Sequence, residues 1–474
     1  MRLYNTLTRQ IDDIIPYTPG QIGMYACGFT VYDFTHLGHL RKYTMDDVLL
    51  RMLRHEGLEV TFVENVTDVG HLTSDSDTGE DKLEKGARKY KKTPWEVAKE
   101  FEAYFWRSMA AMGNHKPDVI SRATEHIPQQ LSLVQQLEAK GFTYVIEGDG
   151  VYFDTSKLDD YGKLAQIDIE QLKEGARIER IPGKKNATDF ALWKFERPGE
   201  NRAMVWPSPW AERSFPGWHV ECSAMAMEYL GEQFEIHTGG IDHINVHHTN
   251  EIAQSEAATD KKPFVKYWVH HNFLRVDGEK MSKSLGNFYT IDDVEKKGFS
   301  PAALRLLFLT SHYRSELNFT WQNLEGLQKT YDKFVRQLLS FKQETDRTVL
   351  SPEKLAQIEE YSQRFYSLLS DDLKTPEAIT ILWEVAKSNL PGMDKYDLII
   401  DFDEILGLQL AKAVDAATSE NAATAPAEIL SLLAERDAAR AAQDWAKADQ
   451  VRDELAISGY KILDTAEGSV VEKS

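Results

Sequence analysis

Two short segments of the chain combine residue types that handle phosphate groups. His-Leu-Gly-His at 36–39 follows a predicted strand and opens a predicted helix, where backbone N–H groups, the helix dipole and the close approach that glycine allows favour a nucleotide. Alone, this pattern is more typical of two surface histidines. The segment 279–287, Glu-Lys-Met-Ser-Lys-Ser-Leu-Gly-Asn, adds Lys280 and Lys283, whose ammonium groups can stabilise a leaving pyrophosphate. Together the segments predict a nucleoside triphosphate site.

The two cysteines and the histidines near residue 240 predict a metal site. Cys27 and Cys222 are 195 positions apart, and each alone is more typical of an inert buried residue. His247 and Glu251 are four positions apart, which places them on one face of a predicted helix. Two thiolates, an imidazole and a carboxylate are donors that zinc accepts. The spacing leaves three further histidines as alternatives: His237, His243 and His248.

The elements that must position these residues follow an α/β pattern. Residues 22–27 and 58–68 predict buried strands with a helix over 39–57 between them, which is typical of a parallel βαβ unit. A second strand, helix and strand are predicted within 232–278. Helices at about 93–140 and a turn-rich β segment intervene, so the sequence predicts a sheet that is split by an insertion.

Beyond about residue 300 the pattern is helical, and the chain ends in a small module. Residues 411–427 combine eight alanines with Thr, Ser, Asn and Pro, and we interpret them as a linker. In the final module, Trp445, Ala448, Val451 and Leu455 share one helical face. The predicted divisions are a first half of the α/β domain (1–115), an insertion (116–204), a second half of the α/β domain (205–270), a signature-loop region (271–320), a helical bundle (321–410), the linker (411–427) and a C-terminal domain (428–474).

Composition places the chain among large globular proteins. It has 474 residues, of which 42% are hydrophobic and 27% charged, and lacks any apolar stretch of membrane-spanning length. Two cysteines exclude a disulfide framework, and the start resembles no secretory signal, so we expect a cytoplasmic protein. The net charge of −20 argues weakly against a nucleic-acid partner, because phosphates respond to local patches such as the basic segments 82–92 and 173–185.

The two phosphate segments together resemble the signatures of class I aminoacyl-tRNA synthetases, and further segments resemble cysteinyl-tRNA synthetases in particular. The similarity runs from about residue 20 to the C-terminus and implies an α/β, Rossmann-like parallel-sheet catalytic domain. The segments are YACGFTVYD, HLGH, NVTDV, DFALWK, WPSPW, FPGWHVECSAM, HHTNEIAQSEA, EKMSKSLGNF, HYRSELNF and ERDAARAAQDWAKADQVRDEL.

This resemblance implies roles for particular residues, and it is what chooses His247 over His248 as a zinc ligand. The implied ligands of one zinc ion are Cys27, Cys222, His247 and Glu251. The implied cysteine pocket comprises Thr30, Thr67 and Trp218. The implied ATP contacts are His36, Gly38, His39, Gly239, Gly240, Asp242 and Lys283, with His36, His39, Lys280 and Lys283 acting in catalysis. The implied tRNA contacts are Arg436, Arg440, Trp445 and Arg452.

The implied reaction joins L-cysteine to ATP, with Mg²⁺, and then to the terminal adenosine of its tRNA, in a monomeric enzyme. The alternative is a cysteine ligase of the mycothiol pathway, which shares the zinc and ATP signatures but lacks the tRNA-binding tail. The chain departs from the family pattern at Phe29, Thr238, His243, Val246 and Thr249, and in the acidic insertion 70–80. None of these departures removes an implied zinc ligand.

Overall fold

The protein is described by a computed structural model. The described residues are 1–70, 81–166, 182–282, 285–344, 349–423, 426–465 and 468–473. They form two compact units, Met1–Asn323 with Ser367–Pro376, and Leu324–Tyr366 with Glu377–Ser474. None of the described helices has both the length and the apolar character that a membrane span requires.

The first unit contains short and long strands together with the helices that connect them. The strands are β1 (Arg2–Asn5), β2 (Gln10–Asp13), β3 (Gln21–Thr30), β4 (Glu59–Thr67), β5 (Val119–Arg122), β6 (Thr143–Ile146), β7 (Gly150–Phe153), β8 (Phe190–Phe195), β9 (Ser214–Pro216), β10 (Phe234–Gly240), β11 (Val265–His271), β12 (Leu274–Val276), β13 (Glu279–Lys280) and β14 (Leu317–Phe319). The helices are α1 (Leu37–His55), α2 (Lys82–Tyr90), α3 (Pro94–Ala111), α4 (Ile127–Ala139), α5 (Trp218–Leu230), α6 (His247–Thr259), α7 (Ile291–Lys296) and α8 (Pro301–Leu309).

A five-stranded sheet forms the centre of this unit. Its order is β11-β10-β3-β4-β5, and all neighbouring strands are parallel, which confirms the predicted α/β fold. Met24, Tyr25 and Ala26 of β3 are fully buried, because helices of a parallel sheet cover both faces. This is why the central strands have almost uninterrupted apolar sequences.

The strand order reverses between β3 and β10, and this opens a crevice at the carboxyl edge of the sheet. The chain leaves β3 through α1 towards β4, whereas it leaves β10 through α6 towards β11 on the opposite side. Ligands of open parallel sheets bind at such a reversal. Gly28 shapes this edge, since a Cβ there would overlap the backbone carbonyl of Asn65 on the neighbouring strand. The pairing of β3 with β4 is irregular at the same point, between Ala26 and Phe29.

The predicted insertion is a second sheet, and its boundaries differ from those we expected. Strands β6-β7-β8-β9 form an antiparallel sheet that lies between the two halves of the central sheet along the chain. The predicted boundary at 115/116 is wrong, because β5 pairs with β4 in the central sheet. The boundary at 204/205 is also wrong, because β9 pairs with β8 of the insertion. Both strands are three or four residues long, too short for a periodic sequence signal.

The second unit is helical up to its final module. Its elements are α9 (Trp321–Lys342), α10 (Pro352–Ser370), α11 (Thr375–Lys387), α12 (Gly392–Leu406), α13 (Leu410–Ala423), α14 (Ala427–Ala441), α15 (Trp445–Ile457), β15 (Tyr460–Thr465) and β16 (Gly468–Lys473). Ring contacts join the helices as the predicted bundle requires, with Phe334 against Trp383 at 4.3 Å and Phe365 against Phe402 at 4.0 Å.

The interpretation of 411–427 as a linker is wrong for most of its length. Residues 411–423 belong to α13, whose Val414 is fully buried. Alanine is the strongest helix former, and the buried Leu410 and Val414 pack the start of this helix. The described part of the linker segment outside α13 starts at Pro426, which precedes α14.

Candidate active site and metal centre

A cavity of about 630 Å³ lies at the crevice formed by the carboxyl ends of β3 and β10. Most of the residues that the sequence assigned to catalysis, ATP and substrate line this cavity. They are Thr30, His36, Gly38, His39, Thr67, Trp218, Gly240, Asp242 and Lys280, and the predicted zinc ligand Cys27 lines the cavity as well. Parallel strands present the residues at their carboxyl ends to one edge, which brings these distant positions together.

Three of the four predicted zinc ligands meet at the inner end of this cavity. Ligating atoms of Cys27, Cys222 and His247 all lie within 4.8 Å of one another. Cys27 comes from β3, Cys222 from α5 and His247 from the first turn of α6. All three side chains are buried, so the two distant cysteines converge in a dry environment.

Glu251 adjoins this group through His247. Its Oε1 lies 3.0 Å from His247 Nε2 and has no hydrogen bond in the described part of the chain, while its Oε2 lies 3.0 Å from His237 Nε2. Glu251 also belongs to a second group of ligating atoms, with His237 and His248. The structure therefore places the predicted carboxylate beside the cluster and gives it a histidine partner.

The distances in the cluster fit a zinc ion. Bonds of about 2.3 Å to sulfur and 2.0 Å to nitrogen or oxygen in a tetrahedral site separate S and N by about 3.5 Å, and N and O by about 3.3 Å. His247 Nε2 lies 3.4 Å from Cys222 Sγ and 3.0 Å from Glu251 Oε1. Glu251 Oε1 is buried and makes no hydrogen bond among the described residues although His247 Nε2 lies 3.0 Å away, an arrangement that suits two ligands facing one ion.

Burial and neighbouring charges set the protonation of the cluster. A hydrogen bond with Cys222 holds the pKa of Cys27 well below its usual value, and the same bond raises the pKa of Cys222. Burial opposes ionisation of Glu251, but His237 and His247 outweigh it and lower the pKa of this carboxyl. Burial also opposes protonation of His247, yet Glu251 and Cys27 raise its pKa to about 10. Without an ion, the cluster therefore keeps protons on His247 and Cys222, and a divalent cation that binds there would displace them.

The second nitrogen of the metal-site imidazole is held by a neighbouring residue. His247 Nδ1 lies 3.0 Å from His219 Nδ1, and its ring packs 4.5 Å from the ring of Trp218. A ligating histidine usually has such an outer partner, which fixes its orientation. Trp218 and His219 are the first residues of α5, the helix that also carries Cys222, so one helix orients the site from two sides.

The His-Leu-Gly-His segment caps α1 with its own side chains. His36 Nδ1 accepts hydrogen bonds from the backbone N–H groups of Gly38 at 3.1 Å and His39 at 3.3 Å, and the two imidazole rings stack at 3.5 Å. Burial and the nearby His36 lower the pKa of His39 well below its usual value, so this ring is neutral. The helix amides that the sequence predicted to meet phosphate are therefore already occupied, and the imidazoles are the groups left to face a ligand.

The predicted lysine-rich loop borders the cavity. Lys280 ends β13 and lines the cavity, with its ammonium 5.9 Å from the ring of Phe273. The side chain of Asn287 closes the loop, since it accepts a hydrogen bond from the Ser282 backbone and donates one to the Lys280 carbonyl. Gly286 adopts a positive φ of 66°. Lys283 lies outside the described residues.

The two predicted glycines have different surroundings. A Cβ on Gly239 would collide with the ring of His248, so this glycine makes room for a buried histidine and is absent from the described cavity wall. A Cβ on Gly240 would meet the carboxylate of Asp242, and both of these residues line the cavity. The need for glycine at 239 comes from packing within the protein.

Sequence reasoning missed two lysines at the cavity. Lys42 Nζ donates to the Cys27 carbonyl at 2.8 Å and pairs with Asp46, and Lys82 Nζ lies 5.3 Å from the ring of Trp218. Lys42 lies one turn into α1. Its position three residues after His39, on the same helix, is the feature of the sequence that could have revealed it. Lys82 begins α2, directly after the acidic insertion, of which residues 71–80 lie outside the described residues.

In the C-terminal module, the predicted tRNA-contact residues divide into exposed and buried side chains. Of the four residues predicted to share one helical face, Ala448, Val451 and Leu455 are buried, whereas Trp445, the first residue of α15, is 60% exposed. Arg436 is only 8% exposed and donates to Ser469 at 2.8 Å, which is a packing role. Arg440 and Arg452 are exposed on the surface of the module.

The fold and the site define a class of protein. A model of the "tRNA synthetases class I (C) catalytic domain" matches residues 13–329. Among solved structures, the methionyl-tRNA synthetase of Mycobacterium tuberculosis in complex with methionyl-adenylate superposes with a TM-score of 0.57, covering 84% of this chain and 92% of that one at 14% identity. The protein has the fold of a class I aminoacyl-tRNA synthetase.

Full-length sequence relatives narrow this class to one family. The chain is 42% identical to cysteine--tRNA ligase 1 of Burkholderia lata, over 99% of this chain and 96% of that protein. It is 40% identical to the cysteine--tRNA ligase of Treponema denticola, over 98% of each. A model of the "Cysteinyl-tRNA ligase anticodon binding domain" matches residues 423–468. The chain therefore belongs to the cysteinyl-tRNA synthetase family.

Proposed function

We propose that this chain activates L-cysteine with ATP and transfers the cysteinyl group to the terminal adenosine of the tRNA for cysteine. One observation carries the proposal: the two cysteines of the chain meet His247 at the inner end of a cavity whose outer wall carries His36, His39 and Lys280. A thiophilic site and a triphosphate site are thereby adjacent. Adjacency is what an enzyme needs to join a thiol-bearing amino acid to ATP.

The residues that would hold zinc are Cys27, Cys222, His247 and Glu251, with one ion per chain. Bound there, zinc would ligate the substrate sulfur and keep it as a thiolate. A serine hydroxyl is a much poorer ligand, so the site itself would discriminate against serine without hydrolytic editing. Trp218 and Thr67 border the space beside the cluster, and Thr30 lies at the end of the strand that carries Cys27.

The remaining polar groups of the cavity would bind ATP as its magnesium complex. The neutral imidazole of His39 and the ring of His36 would contact phosphate oxygens, and Gly240 with Asp242 would border the nucleoside. Lys280, and Lys283 beyond the described residues, would stabilise the charge that develops on departing pyrophosphate. Attack by the cysteine carboxylate on the α-phosphorus then needs orientation and charge stabilisation, without a covalent enzyme intermediate.

The C-terminal module favours tRNA over a small acceptor. Its sequence matches the anticodon-binding domain of the family, which argues against the alternative of a mycothiol-pathway ligase. We assign the tRNA contacts to Trp445, Arg440 and Arg452, because stacking and phosphate contacts require exposed side chains. Arg436 supports the module from within. We propose that the enzyme acts as a monomer in the cytoplasm.

A charging assay tests this function directly. The purified full-length protein is incubated with Mg-ATP, total tRNA and each of the twenty amino acids in turn, and esterified amino acid is measured. We expect cysteine alone to be charged. Charging with another amino acid would contradict the substrate assignment, and cysteine activation without any charged tRNA would favour the mycothiol-pathway alternative.

A further inference from the structure

A second group of ligating side chains shares Cys27 with the metal cluster. Ligating atoms of Cys27, His243 and His248 all lie within 4.8 Å of one another. His243 ends the short 3₁₀ turn Ile241–His243, which leads from β10 towards α6. Its ring lies 5.2 Å from the ring of His247 and 6.1 Å from that of Trp218. The imidazole of His243 therefore lies beside Cys27, the predicted zinc ligand that the two groups share.

The approach of His243 differs from that of the assigned ligands. Cys27 and His243 both line the cavity of about 630 Å³, whereas Cys222, His247 and Glu251 lie behind its wall. A ligand in this cavity can therefore reach both Cys27 and His243. Its Nδ1 is buried and has no hydrogen-bond partner among the described residues. A buried nitrogen without a partner costs stability unless a ligand satisfies it.

His248 behind it is oriented by hydrogen bonds. Its Nδ1 lies 2.8 Å from His270 Nε2, and His270 Nδ1 lies 2.7 Å from the hydroxyl of Thr6. The other ring nitrogen of His248 is buried and has no hydrogen-bond partner in the described ranges. His248 is therefore held in place next to His243, whose ring lies 5.1 Å from its own.

We propose that His243 is an additional, displaceable ligand of the metal centre, and that it occupies the coordination position which the substrate sulfur takes over. The inference deepens the proposed function and rests on the metal centre described there. The exchange breaks one metal–nitrogen bond and forms one metal–sulfur bond, and the thiol proton passes to water. Because His243 and a bound substrate both border the cavity, the His243 imidazole and the substrate sulfur compete for one coordination position of the metal.

Competition has a measurable consequence. L-cysteine can bind only when His243 does not occupy the coordination position. Its apparent dissociation constant is therefore the intrinsic constant divided by the fraction of protein in which that position is open. If His243 occupies the position for about nine-tenths of the time, removing it lowers the apparent constant for L-cysteine about tenfold. The same removal lowers the coordination number of the metal in the absence of cysteine.

Cobalt(II) absorption of the full-length protein measures both effects without relying on activity. The intensity of cobalt d–d bands falls when the coordination number rises, and thiolate-to-cobalt charge transfer reports bound sulfur. We compare the wild type with His243→Leu, which is of similar size and cannot ligate. The matched control is Asn245→Ala, an exposed residue two positions further along the chain that belongs to none of the groups of ligating side chains.

The expected result is stronger d–d bands for His243→Leu than for the wild type or Asn245→Ala before cysteine is added. Titration with L-cysteine should then add charge transfer in all three proteins, with a midpoint about tenfold lower in His243→Leu. Identical spectra and midpoints for His243→Leu and the wild type would overturn the inference and leave the metal centre intact. Failure of every protein to bind cobalt would overturn both.

A second variant guards against misfolding. His243→Gln keeps a polar side chain but replaces the imidazole with an amide, a weak metal ligand. We expect it to show the same shift in midpoint as His243→Leu while its circular dichroism matches the wild type. A wild-type cobalt spectrum in a folded His243→Gln protein would count against ligation by His243.

Discussion

The metal cluster and the C-terminal module (residues 427–473) differ in how their functional side chains are held. Cys222 and His247 are each 1% exposed and are positioned by separate elements that meet only in the folded first unit. Trp445 is 60% exposed and starts a single helix. Residues in contact act as one unit, whereas distant exposed residues act independently. Substitutions in the cluster should therefore abolish metal binding and cysteine activation. Substitutions in the module should reduce tRNA charging by degrees.

The largest expected effect is the loss of a thiolate from the cluster. Cys222→Ser replaces a soft ligand by a poor one in a fully buried position, so we expect metal affinity and cysteine-dependent ATP–pyrophosphate exchange to fall by more than about 100-fold. Metal content by mass spectrometry and the exchange assay measure this. Met225→Leu, on the same helix and fully buried, is a volume-conserving control that should retain both properties. Unchanged metal content in Cys222→Ser would place the site elsewhere.

Removal of the module should separate the two steps of the reaction. Deleting residues 428–474 should lower tRNA charging about 1,000-fold, because three contacts of about 1.4 kcal/mol each are lost, and leave cysteine activation within about twofold of the wild type. Exchange and charging assays on one preparation compare the steps. An equal loss in both would show that the module supports the fold of the enzyme.

The smallest effects distinguish contact from packing inside the module. Trp445→Ala should raise the KM for tRNA about tenfold through loss of base stacking, with little change in thermal stability. Arg436→Ala should cost about 1 kcal/mol of stability, because Arg436 donates to Ser469, and should leave tRNA binding unchanged. Melting curves and charging kinetics of both variants test the contrast. If Arg436→Ala weakened tRNA binding more than Trp445→Ala does, these assignments would be reversed.

The sequence predicted the central fold because its signals are local. The strand around 22–27, the start of a helix after His36 and the return strand at 58–68 all appear with small shifts of their ends. Short strands such as β5 and β9 have no period to detect, and their place in a sheet depends on distant partners. Alanine-rich residues 411–423 were misread since composition alone does not distinguish a polar linker from a helix that Leu410 and Val414 pack at its start.

The sequence predicted only part of the candidate site. Spacing could pair His247 with Glu251 on one helix, but nothing local could bring Cys27 to Cys222, and family resemblance supplied that step. The contact of Glu251 with His237 and the approach of His243 to Cys27 depend on the crossing of β10 and α6 behind the cavity. Such contacts between side chains from different elements appear only in the folded structure and cannot be predicted from local sequence.

The central claim is that a zinc-type cluster at the end of the cavity selects a sulfur-bearing substrate. ATP–pyrophosphate exchange with cysteine and with serine, on the same metal-loaded protein, tests it most directly. We predict that kcat/KM for cysteine exceeds that for serine by at least about 10⁴-fold, since serine lacks the bond on which selection depends. Comparable exchange with serine would contradict the account.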